Sequence, residues 1–259
     1  MRTSFFAILF FGCIANAKLN VVATIPDIGA LVTAVGGQYV SLTVIAKGTQ
    51  DAHSIEPKPS YMVKVNQADL VICNGLALEV GWLPSLISGA RNPKVNPGSK
   101  GYLDLGSSIE PLDVPKGSVS RADGDVHPDG NPHFTLDPIR LGQLALVIAE
   151  RLGELDVDHK NLFSENAKAF EKKMREQTDI WKKRIERVGI KSLITYHSTL
   201  AYFLNRFGLK AMGFLEPKPG SPPTASHLLE LIALMKAEKI NLVLQENLYD
   251  TKYVERLRS

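Results

Sequence analysis

Leu19-Asn-Val-Val-Ala-Thr24 and Val40-Ser-Leu-Thr-Val-Ile-Ala46 are short β-branched runs, and Ile28-Gly-Ala-Leu-Val-Thr-Ala-Val35 between them carries its apolar residues at helical spacing. Strand, helix and strand in that order predict a parallel pair with a crossover helix. The alternation continues: Asp69–Cys73 and Tyr102–Leu105 read as strands, Ser60–Asn66 and Leu78–Ile87 as helices. A parallel sheet flanked by helices follows, an α/β lobe over residues 18–137.

Ser107–Asn131 has no apolar period and is rich in Gly, Pro, Asp and Ser, so it reads as an exposed loop. Asp137-Pro138 then opens a helix sharply, because Asp is a favoured N-cap and Pro a favoured first helical residue. A second helix runs from about His159 to Val188, with Phe163, Phe170, Met174, Trp181, Ile185 and Val188 on one stripe. At about 1.5 Å per residue it is roughly 45 Å long, more than a small lobe requires, and it reads as a strut. Residues 138–188 thus form a helix pair between lobes. From 189 to 259 the alternation resumes: strands at Lys191–Tyr196, Leu209–Phe214 and Ile240–Gln245, helices at Leu200–Phe207, Thr224–Lys239 and Thr251 onward. This second lobe is expected to lack a closing strand and helix, which would leave a sheet edge unpaired. The fold class is α/β, with two Rossmann-like lobes joined by a long rigid helix.

The composition fits a globular chain of 259 residues, 44% hydrophobic and 22% charged, and excludes a disordered, fibrous or coiled-coil protein. A net charge of +3, evenly spread, gives no nucleic-acid footprint. Residues 1–17 differ from the rest: Arg2, an apolar stretch from Phe5 to Ile14, and Ala15-Asn16-Ala17 form a secretory signal peptide with its cleavage site. That stretch is shorter than the roughly 20 residues that span a bilayer. Phe10-Phe11-Gly12 is a poor lead-in for lipid attachment at Cys13, so a cleaved signal and a periplasmic protein are expected. Cys73 then stands alone in an apolar strand, and no internal disulfide can form.

Walker-type loops, G-x-S-x-G, H-E-x-x-H and paired C-x-x-C motifs are absent. Three of the six histidines sit where strands give way to loops or just before a helix: His53, His133 and His197. Loops at strand C-termini converge on a crevice in open α/β sheets, so three imidazoles could meet in one cleft. The alternative for each is a loop histidine with a local hydrogen bond. His127 reads as facing solvent, with a loop or outer-shell ligand role as its alternative; His159 and His227 read as structural or exposed.

Three blocks together give a resemblance: Asp51-Ala-His53-Ser-Ile-Glu56-Pro57-Lys-Pro59-Ser60 through Ala68-Asp69-Leu70-Val71 to Asn74-Gly75-Leu76; Asn131-Pro-His133-Phe-Thr-Leu-Asp137-Pro138; and Tyr196-His197-Ser198 with Tyr202-Phe203. The sequence resembles the metal-binding solute-binding proteins of bacterial ABC importers for zinc and manganese, across essentially the whole mature chain. The resemblance implies a metal site in the inter-lobe cleft with His53, His133 and His197 as ligands. Manganese-preferring relatives tend to carry a carboxylate at the third position, so His197 implies zinc, with manganese second. Two departures stand out. The segment Val114–Pro132 holds only His127 where zinc importers often have a His-rich loop. The family's fourth ligand, usually an aspartate, lies beyond Ser259, leaving Glu246 or water to take its place. The implied function is a monomeric carrier, not an enzyme, that delivers zinc to an ABC permease driven by an ATPase. The alternatives are a secreted zinc hydrolase, for which Glu246 and Glu56 are weak candidate bases, and a metal chaperone or adhesion protein on the same scaffold.

Overall fold

The computed structural model describes residues 18–117, 127–218 and 220–258. The predicted signal segment, 1–17, lies outside the described residues. The first sheet contains β1 (Leu19–Ala23), β2 (Val40–Val44), β3 (Leu70–Cys73) and β4 (Tyr102–Asp104), all parallel, in the order β2-β1-β3-β4. Parallel strands are covered on both faces, and β3 is buried at every position, which is why Leu-Val-Ile-Cys reads as one apolar run. The helix α1 (Pro26–Gly36) starts on a proline and buries Ile28, Leu31, Val32 and Val35 against this sheet. It lies close enough that a Cβ on Gly29 would stand 2.6 Å from Val44 Cγ2, so only glycine fits there.

Two further helices, α2 (Pro59–Asn66) and α3 (Leu83–Ala90), complete the lobe. The sequence predicts α3 from Leu78, but residues 76–82 form turns instead. Leu76 and Ala77 adopt left-handed φ values of 49° and 61°. The cause is Glu79, whose buried carboxyl accepts hydrogen bonds from the Asn74 and Gly75 amides at 2.7 and 3.1 Å and from the Thr24 hydroxyl at 2.6 Å. This folded-back carboxyl satisfies the donors at the end of β3, and helix resumes only at the Leu83-Pro84 start.

Asp137 caps α4 (Pro138–Leu155) by accepting from the Ile139 amide at 3.0 Å, as the sequence predicts. After α4 comes α5 (Lys160–Val188), and the two pack so closely that a Cβ on Gly142 would meet Glu171 Cα at 3.1 Å. Leu144, Ile148 and Leu152 on α4 and Phe163 and Ala167 on α5 belong to the core of the first lobe. Farther along α5, Ile180, Trp181 and Val188 are exposed, and Gly189, at φ 74°, turns the chain into the second sheet. The long helix therefore links the two lobes.

The second sheet has the order β6-β5-β7, all parallel: β5 (Ser192–Thr195), β6 (Lys210–Phe214) and β7 (Val243–Leu244). Its helices are α6 (Ala201–Phe207), α7 (Ala225–Ala237) and α8 (Lys252–Arg258). The core here is smaller, built on Ile194, Tyr196, Leu215, Leu228, Leu231, Ile240 and Leu257, with Tyr249 stacked on Tyr196 at 3.8 Å. Among the described residues no helix is long and apolar enough to cross a membrane.

The lobes are also tied directly. Arg206 on α6 holds Asp137 with two 2.8 Å bonds. The Tyr202 hydroxyl donates to the Asn131 carbonyl at 2.7 Å and accepts from the Leu112 amide at 2.9 Å.

Candidate metal centre

His53 follows β2 on a loop that Trp82 steadies by donating its indole N–H to the Ala52 carbonyl at 2.9 Å. Two residues back, Asp51 Oδ1 accepts from the His53 amide at 3.0 Å and faces its ring Nδ1 at 2.7 Å. The hydrogen bond from His53 pulls the Asp51 carboxyl down to about 2, so it stays ionised. His133 repeats the device with a neutral partner: Asn131 Oδ1 accepts from the His133 amide at 3.0 Å and meets its Nδ1 at 2.9 Å. The Asn131 side-chain amide donates to the Ser198 carbonyl at 3.0 Å, so this residue also reaches the second lobe. His197 leaves the end of β5 almost fully buried, and its Nδ1 lies 2.8 Å from the buried Glu216 carboxyl, just past β6.

Each of the three imidazoles therefore offers Nδ1 to an oxygen acceptor of its own. That partner places the proton on Nδ1 and leaves the Nε2 lone pair for a ligand. Removal from water holds the His133 ring well below the ordinary histidine value, and the nearby His53 and His197 rings add to the effect. The same burial favours the neutral ring, with its proton on Nδ1 and its lone pair on Nε2.

The structure brings the three together. Ring centroids lie 5.4 Å apart for His53 and His133, 5.5 Å for His133 and His197, and 6.3 Å for His53 and His197. Imidazoles bonded at about 2.0–2.1 Å to one tetrahedral ion would have centroids about 5 Å apart. Among the described residues no three His, Cys, Asp or Glu side chains already form a shell that could hold an ion as they stand, so the rings must draw in to bind one.

His127, expected in solvent, is instead part of the cluster. Its ring centroid is 5.1 Å from that of His53 and 6.4 Å from that of His133, and the Nε2 atoms of His53 and His127 are 3.1 Å apart. The cleft, about 240 Å³, is lined in part by Asp51, His53, His133, Glu246 and Tyr249. Both Glu246 oxygens are buried without a hydrogen-bond partner. His159 stacks on Tyr39 at 3.8 Å and pairs with Asp156, and His227 bonds the Phe214 carbonyl, so both serve structure. Asp51 and Asn131 could have been noticed from a shared signal, an oxygen-bearing side chain two residues before each histidine. Glu216 is 19 residues from His197 and had no such signal.

Two parallel-sheet lobes, a linking helix and a histidine-lined cleft define a two-lobed α/β architecture. Residues 21–259 match the family described as ZnuA, zinc-uptake complex component A, periplasmic, and the chain belongs to that family. It is 25% identical over 231 residues to the zinc-binding lipoprotein AdcA of Streptococcus pneumoniae, covering 87% of this chain and 44% of AdcA, so it spans less than half of that relative. It is 25% identical over 243 residues to scaA of Streptococcus gordonii, the substrate-binding lipoprotein of a manganese ABC transporter, covering 92% of this chain and 75% of scaA. A crystal structure of ZnuA superposes with a TM-score of 0.79 at 24% identity, over 93% of this chain and 86% of that one, a likeness of fold.

Proposed function

We propose that this protein captures a divalent transition metal, zinc in preference to manganese, through Nε2 of His53, His133 and His197. It then delivers the ion to an ABC permease driven by an ATPase. The observation that carries this reading is the set of three Nδ1 partners, Asp51, Asn131 and Glu216, which turn all three Nε2 atoms into donors. Neutral imidazole suits zinc, whereas manganese favours oxygen ligands. Carboxyl groups at Asp51 and Glu216 oppose the charge of the dication without presenting hard oxygen to it.

Capture and release is the whole mechanism, so the chain acts as a carrier rather than an enzyme. It works as a monomer outside the cytoplasmic membrane, its leader cleaved after Ala17. The lobes are residues 18–137 and 189–259, with the helix pair 138–188 between them.

Calorimetric titration of the metal-stripped protein tests this reading, with zinc and then manganese, beside a variant carrying His53→Ala, His133→Ala and His197→Ala. One tight zinc equivalent, weaker manganese binding and loss of both in the variant are expected. Ester, peptide or lactam hydrolysis above the free-metal background, abolished by His197→Ala, would overturn it in favour of a zinc hydrolase.

A further inference from the structure

The charge that reads as evenly spread is in fact concentrated on the second half of α5. Residues 172–191 hold eight Lys and Arg against three Asp and Glu, while the rest of the chain carries 22 against 24. Residues three, four and seven apart share one face of a helix. By that spacing Ile180, Lys183, Arg184 and Arg187 adjoin, with Trp181 and Val188 beside Arg184. All six are exposed, and the apolar Ile180, Trp181 and Val188 stand 46%, 36% and 67% open to solvent. Nearer the start of the helix Lys172 pairs with Glu176 and Arg175 with Glu171, whereas among the described residues Lys183, Arg184 and Arg187 have no carboxylate partner. Thr178 is the last buried residue of α5, and from there to Val188 the helix carries this face into solvent.

We infer that the outer end of α5 is a docking surface for an anionic phospholipid membrane, and that it holds the carrier at the bilayer containing its permease. This rests on the reading of the chain as an exported carrier. Adjoining cations suit a surface of lipid phosphates, where each Lys or Arg adds about fivefold to binding. An acidic protein would satisfy the same cations, and the apolar residues among them decide for lipid. A tryptophan lies at the headgroup level with its ring in the apolar boundary and its N–H in water, and Ile180 and Val188 reach the same boundary. Phe163 and Ala167 anchor the other end of α5 in the core of the first lobe, so the helix lies along the surface without entering it. Attachment is therefore reversible and weakened by salt. His53, His133 and His197 belong to other elements, so docking through α5 leaves the metal site free.

The test is co-sedimentation of the purified protein with vesicles of phosphatidylcholine alone, or of equal parts phosphatidylcholine and phosphatidylglycerol, at low and physiological ionic strength. Tryptophan emission is read on each sample, and Trp181 is the reporter, since Trp82 is already buried. Binding to the anionic vesicles only, weakened by salt and accompanied by a blue shift, is expected. Lys183→Gln, Arg184→Gln and Arg187→Gln together should weaken it about 100-fold. Lys64→Gln, Lys116→Gln and Lys236→Gln, exposed cations elsewhere on the surface, should leave it nearly unchanged although the net charge falls equally. No binding to anionic vesicles at low ionic strength, or an equal loss in both triple variants, would overturn the inference. Binding to soluble polyglutamate with no emission shift on vesicles would also overturn it, making the partner an acidic protein. Zinc titration of the same three proteins separates the two readings, and tight binding by all three shows that each is folded. Tight zinc binding without vesicle binding removes only the membrane surface, whereas no tight zinc binding in the wild type removes the carrier reading and the purpose assigned to this surface with it.

Discussion

Replacing Glu216 with glutamine separates the charge behind His197 from the shape of its pocket. The carboxyl is buried beside an almost fully buried imidazole, 2.8 Å from Nδ1, and also receives the Gly220 amide at 3.3 Å. Glutamine can still present an oxygen to Nδ1, so the ring keeps its orientation and Nε2 still faces the cleft. What is lost is the difference between a charge-assisted and a neutral hydrogen bond, about 1–1.5 kcal/mol. That corresponds to a zinc affinity about tenfold weaker. Alanine also strands the Nδ1 proton in a buried site, which raises the loss to about 100-fold. Competition against a chromogenic zinc chelator at neutral pH measures both variants. The reasoning fails if glutamine binds zinc as tightly as the wild type, or if it is as defective as His197→Ala, since the carboxyl would then be either irrelevant or a ligand itself.

Three further outcomes are expected. Asp137→Ala removes the α4 cap and strands Arg206, whose side chain is 34% exposed; urea unfolding should show a loss of about 2–4 kcal/mol, below that for a fully buried pair, and less than about 1 kcal/mol would contradict the inter-lobe tie. Cys73 is buried and its thiol is pushed far up by burial and then by the nearby Glu79 and Asp104 carboxyls, so a thiol reagent at neutral pH should label it only as the protein unfolds; rapid labelling of folded protein would refute this. Because the folded His133 ring resists protonation, the unfolded chain binds more protons below its value of about 6.5, and the stability of the metal-free protein should fall as pH drops through that point. A second loss follows from the depressed Asp51 carboxyl, whose contribution is complete above the unfolded value of 3.8 and disappears as pH falls towards about 2. Denaturant titrations across this range, beside His133→Gln, should show the first step missing in the variant.

The parts of the fold that could be read from sequence were those with local physical causes. Strand β3 is apolar at each position because both faces are covered, and α4 starts where Asp137-Pro138 says it should. The start of α3 was misplaced because Glu79 captures the Asn74 and Gly75 amides, a tertiary use of a residue that looks helical. Strand β7 covers only Val243–Leu244 of the predicted Ile240–Gln245, since its extent depends on its pairing with β5 rather than on its apolar run. At the site, the places of His53, His133 and His197 at strand and helix ends left a shared cleft and three separate loop roles both open, and only the resemblance of the surrounding blocks singled out the three rings that the structure brings together. His127 was not singled out, because a turn closed by Gly130 against Pro111 decides where it points.

Anomalous diffraction at the zinc edge from crystals of the zinc-loaded protein would test the central claim most directly. A single strong peak about 2.0–2.1 Å from Nε2 of His53, His133 and His197, with Asp51, Asn131 and Glu216 still on the Nδ1 atoms, is the expected result. A peak elsewhere, or one bound through Nδ1 with those partners displaced, would contradict it.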